Sequence, residues 1–181
     1  MQLLLSPSTG APFTTANRAF TLIELMVVVA IVAVLASFGM PAYQDYIRKT
    51  RVAETLQLMS AVKMQIVDNA VNGRPFNEAV NMPGPTSYFR AASIDPTYGF
   101  ITVTFKPEKF NGINYYITLF PKDAGASGTV IADLWGTATS SVIPAGAIRW
   151  SCRSAATTGP WAKGNMPGQY VPESCKGDAY N

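Results

Sequence analysis

The sequence predicts an α+β protein in which a long N-terminal helix, apolar in its first half and amphipathic in its second, packs on an antiparallel sheet of about four strands. Three observations carry this. Phe20–Met40 (FTLIELMVVVAIVAVLASFGM) is almost unbroken apolar sequence. Beyond it, apolar residues recur at spacings of three and four as far as Ala70, and from Ile101 onward short β-branched and aromatic runs alternate with turn residues.

The apolar stretch has 21 residues. As a helix it would run about 31 Å, the thickness of a bilayer's hydrocarbon core. It holds one charge, Glu24. An ionised carboxylate costs about 2.5–3.5 kcal/mol at mid-membrane and less near an end, so Glu24 calls for a partner. One reading is local, a carboxylate held by the dipole at the helix N-terminus and reaching toward the headgroups. Gly39 and Pro41 predict a kink or weakened turn, because glycine lowers helix propensity and proline removes a backbone hydrogen bond.

In the second half Val52, Leu56, Met59, Val62, Ile66 and Ala70 define one face, with Asp45, Arg48, Arg51, Glu54, Gln57 and Asp68 mostly off it. Gly73 and Pro75 stop the helix, which is predicted from about Phe20 to Asn72. A loop over 73–98, with prolines at 75, 83, 85 and 96, exceeds the usual connection length. It is either functional surface or hides a short element. Strands are predicted at 101–105, 114–120, 129–134 and 147–151, with 106–112 as a hairpin connection. In the last strand Ile148 and Trp150 share one face and Arg149 takes the other; Trp135 and Trp150 are expected in the core.

A net charge of +3 does not by itself imply nucleic-acid binding. With no histidine, the commonest general base and metal ligand are missing. No phosphate loop, metal-ligand cluster or nucleophile constellation is visible, so neither an enzyme nor a cofactor is expected. The two cysteines, Cys152 and Cys175, follow a membrane-targeting segment, and one disulfide is the default reading. Closing a loop of about 24 residues would contribute roughly 3 kcal/mol. Two free buried thiols are the alternative.

Phe20–Met40 admits three readings. It is a signal peptide cut after Ala36, a plain anchor for an envelope domain, or an assembly helix. The third rests on a resemblance. Ala19-Phe-Thr-Leu-Ile-Glu24, the apolar run after it, Pro41-Ala-Tyr-Gln-Asp-Tyr46, and Ile148-Arg-Trp-Ser-Cys152 with a second cysteine near the end resemble the type IV pilins, in particular type IVa pilins with a C-terminal disulfide loop.

The resemblance implies a leader at 1–19, a transmembrane and filament-core helix at 20–42, and a globular pilin domain at 43–181. Within that domain it places an amphipathic helix at 43–72, a loop at 73–98, a sheet at about 99–151 and a disulfide loop at 152–175. A prepilin peptidase would cut between Ala19 and Phe20 and methylate the Phe20 amine. Ala19 stands where the family usually has Gly, and the leader carries one base, Arg18. Arg48, Lys49 and Arg51, beyond the helix, would favour the opposite orientation by charge counting, but the N-terminal motif is the more specific signal.

Glu24 would pair with the Phe20 amine of a neighbouring subunit, inside an apolar bundle where leaving either charge alone is costly. Gly39–Pro41 would be the point where the helix loosens. The implied partners are other pilin subunits in a helical filament, the prepilin peptidase, the inner-membrane assembly machinery and the inner membrane itself. The implied destination is an extracellular pilus used in twitching motility, adhesion or DNA uptake. A minor pilin that binds DNA or a surface and a type II secretion pseudopilin are the alternatives. Arg153, Trp161, Lys163, Tyr170 and Lys176 mix bases with aromatics in the disulfide loop, which suits phosphates and bases or host glycans; an ordinary exposed loop is the plainer reading.

Overall fold

The structure is a computed structural model that describes residues 20–125, 132–157 and 164–177. It divides into two compact units, one ending at Met40 and the other beginning at Pro41. Helix α1 (Leu22–Val71) crosses the boundary and is assigned without a break through Gly39 and Pro41. It ends as predicted. Gly73, at φ +66°, donates to the Ala70 carbonyl (3.1 Å), and Arg74 N–H reaches back to Asn69 (2.9 Å), the paired bonds of a left-handed helix cap.

Among the described residues there are five strands, β1 (Phe89–Ile94), β2 (Ile101–Phe105), β3 (Tyr116–Asp123), β4 (Ala132–Asp133) and β5 (Ile148–Arg153). All pairings are antiparallel, in the order β1-β2-β3-β5. The two-residue β4 pairs with Lys122 and Asp123 beyond the last β2 partner, Leu119. Lys122 and Asp123 also pair with Arg149 and Ile148 of β5, so β4 must lie on the β2 side of β3. Pro121 falls between the β2 and β4 pairings, where neither strand pairs with it, which is how a central strand tolerates proline.

The predicted loop over 73–98 is corrected by β1. Phe89–Ile94 (FRAASI) pairs with β2 across a bulge near Arg90, so the connection from α1 is shorter than expected. Alanine and serine have weak strand preference, and these residues are a strand because β2 offers an edge to pair with. Residues 126–131, part of the predicted 129–134 strand, lie outside the described residues.

Alternation sorts the sheet. Ile101, Val103, Phe105, Ile117 and Leu119 join Val52, Met59, Val62, Ile66 and Ala70 of the helix in one core. Leu56 packs on that cluster while remaining partly exposed. Two polar residues, Thr55 and Asn69, are also buried on this helix face. Thr55 donates to the Arg51 carbonyl (2.9 Å). Asn69 Nδ2 donates to the carbonyls of Phe76 (3.3 Å) and Glu78 (2.8 Å), and Gln65 Oε1 accepts from Asn81 N–H (2.7 Å). Helix side chains thus fix the loop after α1 by its backbone.

Phe76 seals that loop. Its ring is wholly buried, and a Cβ on Gly99 or Gly136 would come within 3.0 or 2.8 Å of it. Gly99 also sits at φ +68°, so both conformation and space require glycine there. Trp135 departs from expectation: it stands 52% exposed, its ring edge-on to Tyr98 at 5.0 Å, while Trp150 packs against the core.

Candidate assembly interface

The first segment of α1 offers an apolar surface that no other described residue covers. Every residue from Phe20 to Met40 is exposed except Ala36, which is partly so; Phe20, Leu22 and Phe38 are each more than three-quarters exposed. The helix is long and apolar enough to cross a membrane. A stripe of this size in water would be a strong liability, so it implies a lipid or protein partner.

Glu24 is held locally at the helix N-terminus, as one reading of the sequence expects, by a residue that reading did not name, Thr21. Thr21 donates to Glu24 Oε2 through both its backbone N–H (2.9 Å) and its hydroxyl (2.7 Å), and Glu24 N–H returns a bond to Thr21 Oγ1 (3.3 Å). This is a reciprocal capping box, and Thr21-x-x-Glu24 ahead of an apolar run is its sequence signature. The carboxylate closes the start of its own helix, with Phe20 immediately before the cap. Ala19 lies outside the described residues.

Farther along, Gly39 has nothing within 4 Å of where a Cβ would stand. No packing among the described residues requires glycine there. Arg48, Lys49 and Arg51 are engaged inside the subunit. Arg48 pairs with Asp45 (2.8 Å), donates to the Lys109 carbonyl (3.2 Å) and lies 5.6 Å over the Tyr170 ring. Arg51 pairs with Glu54 at 2.8 Å. Lys63 lies 5.5 Å over Trp150, and its burial pushes the ammonium below its ordinary pKa.

At the other end, Cys152 and Cys175 are joined, with their Cα atoms 4.6 Å apart. The bond is not the sole tie. Ser154 and Thr157 hydroxyls donate to the Cys175 carbonyl at 2.7 and 3.2 Å. Glu173 pairs with Lys176 (2.7 Å) and, across to the helix, with Lys49 (3.4 Å). The hydrogen bonds from Lys176 and Lys49 hold the Glu173 carboxyl below its usual range.

Among the described residues, the predicted basic and aromatic positions do not come together as one exposed surface. Arg153 is 3% exposed, with its guanidinium 4.4 Å over Phe120, and Tyr170 is buried against Phe110 and Tyr115. Strand alternation carries Arg153 onto the face of Thr118 and Phe120, away from open solvent. Lys176 remains partly exposed and ion-paired, and Trp161 and Lys163 lie outside the described residues.

Asp123 is a further organising residue. Its carboxylate accepts N–H bonds from Gly125 (2.9 Å), Ala145 (2.7 Å) and Gly146 (3.0 Å). Burial alone would raise its pKa, but the three backbone donors outweigh that and hold it below the ordinary value.

Comparison with known proteins agrees with this architecture. Residues 49–176 match the pilin family of bacterial filament proteins, and residues 14–40 match the prokaryotic N-terminal methylation motif. A type IV major fimbrial protein FimA of Dichelobacter nodosus (strain VCS1703A) is 49% identical over 62 residues, 34% of this chain and 38% of that protein. A fimbrial protein of Moraxella nonliquefaciens is 49% identical over 61 residues, 34% of this chain and 40% of that protein. These matches span about two-fifths of the relatives' own length. The crystal structure of a Pseudomonas aeruginosa (strain Pa110594) type IV pilin superposes with a TM-score of 0.54 at 20% identity, covering 71% of this chain and 97% of that one. With the capped apolar helix, the antiparallel sheet and the C-terminal disulfide in place, the chain belongs to the pilin family and has the fold of a type IV pilin.

Proposed function

We propose that this chain is a structural subunit of a type IV pilus, held in the inner membrane by Phe20–Met40 as a precursor and assembled through the same helix into an extracellular filament. The observation that carries the reading is the uncovered apolar segment of α1, which contains one charge and leads directly into a pilin domain. In a membrane lipid covers it; in a filament neighbouring copies do. A prepilin peptidase would remove residues 1–19 and methylate the Phe20 amine, consistent with the methylation motif over 14–40.

In this reading Glu24 meets the Phe20 amine of a neighbour displaced along the filament axis. The capping box uses Oε2, which leaves Oε1 to face an incoming cation. Copies aligned without a stagger would instead bring carboxylate beside carboxylate, so the pair selects register as well as affinity. Gly39, which has no packing role among the described residues, and Pro41, which lacks an N–H, supply a weak point where the helix can loosen on assembly. The inner-membrane assembly machinery would extract the subunit. Motility, adhesion and DNA uptake belong to the filament and not to an active site in one subunit.

Intact mass and N-terminal analysis of protein sheared from cells tests this. A filament fraction containing a chain that begins at methylated Phe20 is the expected result. A chain beginning after Ala36, or one retaining residues 1–19 in the membrane, would overturn it.

A further inference from the structure

A cleft of about 310 Å³ opens on the globular unit where its first helical residues meet the turn after β2, lined by Tyr43, Gln44, Ile47, Arg48, Tyr88, Glu108 and Lys109. We propose that before assembly this cleft takes the zwitterionic headgroup of a phospholipid of the phosphatidylethanolamine class. The proposal rests on the reading that Phe20–Met40 spans the membrane.

Depth is the first argument. The 21 residues from Phe20 to Met40 are used up by the hydrocarbon core. Tyr43 and Ile47 follow Met40 by three and seven residues, about 4.5 and 10 Å farther along a helix, which is the depth of the headgroup layer. Tyr43 and Tyr46 are each about two-thirds exposed, as expected of aromatics at a membrane interface.

Charge is the second. The lining residues Glu108 and Lys109 are adjacent on the turn Pro107–Lys109; both are exposed, and no ion pair among the described residues engages either. Lys109 Nζ stands 5.8 Å over the Tyr88 ring. Arg48 forms part of the wall, only 17% exposed and fixed by Asp45, the Lys109 carbonyl and Asn111. Asp45 already neutralises Arg48, which leaves one cation, Lys109, and one anion, Glu108, so an anion alone meets only one of them. A phosphate beside Lys109 and Arg48 with a primary ammonium beside Glu108 and the tyrosine faces satisfies both signs. The volume lies at the small end for ligand sites, which suits a headgroup and not a large cofactor.

The test places the full-length chain in nanodiscs of equal phosphatidylethanolamine and phosphatidylglycerol, followed by native mass spectrometry of the lipid retained on gentle release. The expected result is phosphatidylethanolamine enriched by about threefold or more, as one or two charge-assisted hydrogen bonds would give. The enrichment should disappear in Lys109→Ala/Glu108→Ala and fall in Glu108→Gln, an exposed substitution that leaves the fold intact. Arg90→Ala, on exposed β1, should leave it unchanged.

Equal retention of the two lipids, enrichment of phosphatidylglycerol, or enrichment that survives the cleft substitutions would overturn the proposal while leaving the membrane reading intact. Failure of the chain to enter nanodiscs would overturn the membrane reading itself. Glycerophosphoethanolamine added in solution should not displace the lipid; displacement at low millimolar concentration would identify a soluble ligand instead.

Discussion

Removing the Phe76 ring tests whether one aromatic side chain holds the loop after α1 to the body of the domain. The ring is wholly buried between Gly99 and Gly136. Phe76→Ala forfeits its transfer energy and leaves a cavity whose walls are partly backbone, so it should cost about 3–5 kcal/mol. At roughly 3–5 °C per kcal/mol for a domain of this size, the midpoint should fall by about 10–20 °C. Gly136→Ala attacks the same contact from the other side. Its Cβ would stand 2.8 Å from the Phe76 ring and 3.1 Å from the Ser140 carbonyl, an overpacking cost of about 1–3 kcal/mol.

In the double variant the ring is gone and the new methyl enters the vacated space. The two costs should therefore fall short of additivity by about 1 kcal/mol or more. Thermal unfolding of the full chain in mild detergent, followed by tryptophan fluorescence, reports on the globular part, because all three tryptophans of the sequence follow Met40 and Trp135 and Trp150 lie in that part. Additivity within about 0.5 kcal/mol, or a Phe76→Ala cost below about 1 kcal/mol, would refute the reasoning.

Two further outcomes follow from the same geometry. Reducing Cys152–Cys175 should cost about 3 kcal/mol yet leave Cys175 tethered through Ser154 and Thr157; reduction combined with Ser154→Ala and Thr157→Val should release it, seen as new proteolytic cleavage near Lys176. Asp123→Ala should cost about 1–3 kcal/mol at neutral pH by unpairing three backbone N–H groups. Because the folded Asp123 pKa is depressed, its stabilisation is complete above the ordinary carboxyl value and is lost as pH falls through the folded value; urea midpoints of the two proteins should therefore converge on acidification.

The long helix was legible because hydropathy and 3.6-residue periodicity are local signals, and Gly73 marked its end within two residues. The disulfide followed from there being two cysteines, β2 and β5 from alternation, and β3 from its aromatic and β-branched run. What escaped depends on distant neighbours. β1 is a strand because β2 lies beside it, and nothing in FRAASI announces that. Asn69 carries no local signal of its role, yet its amide is buried under two loop carbonyls seven and nine residues on. Arg153 looked like a surface base, yet its register opposite Thr118 turns it onto the Phe120 ring. The Thr21–Glu24 box follows from spacing alone, and it gives the local reading of Glu24 a specific partner.

The loop after α1 is gripped almost wholly through atoms that every amino acid possesses. Asn69 holds the carbonyls of Phe76 and Glu78, Gln65 holds the N–H of Asn81, and one inward ring supplies the apolar contact. The outward side chains at Asn77, Glu78 and Ser87 take little part in that grip. Their identities are therefore free to drift. A protein built this way can present a new face to whatever meets it while keeping the old skeleton beneath.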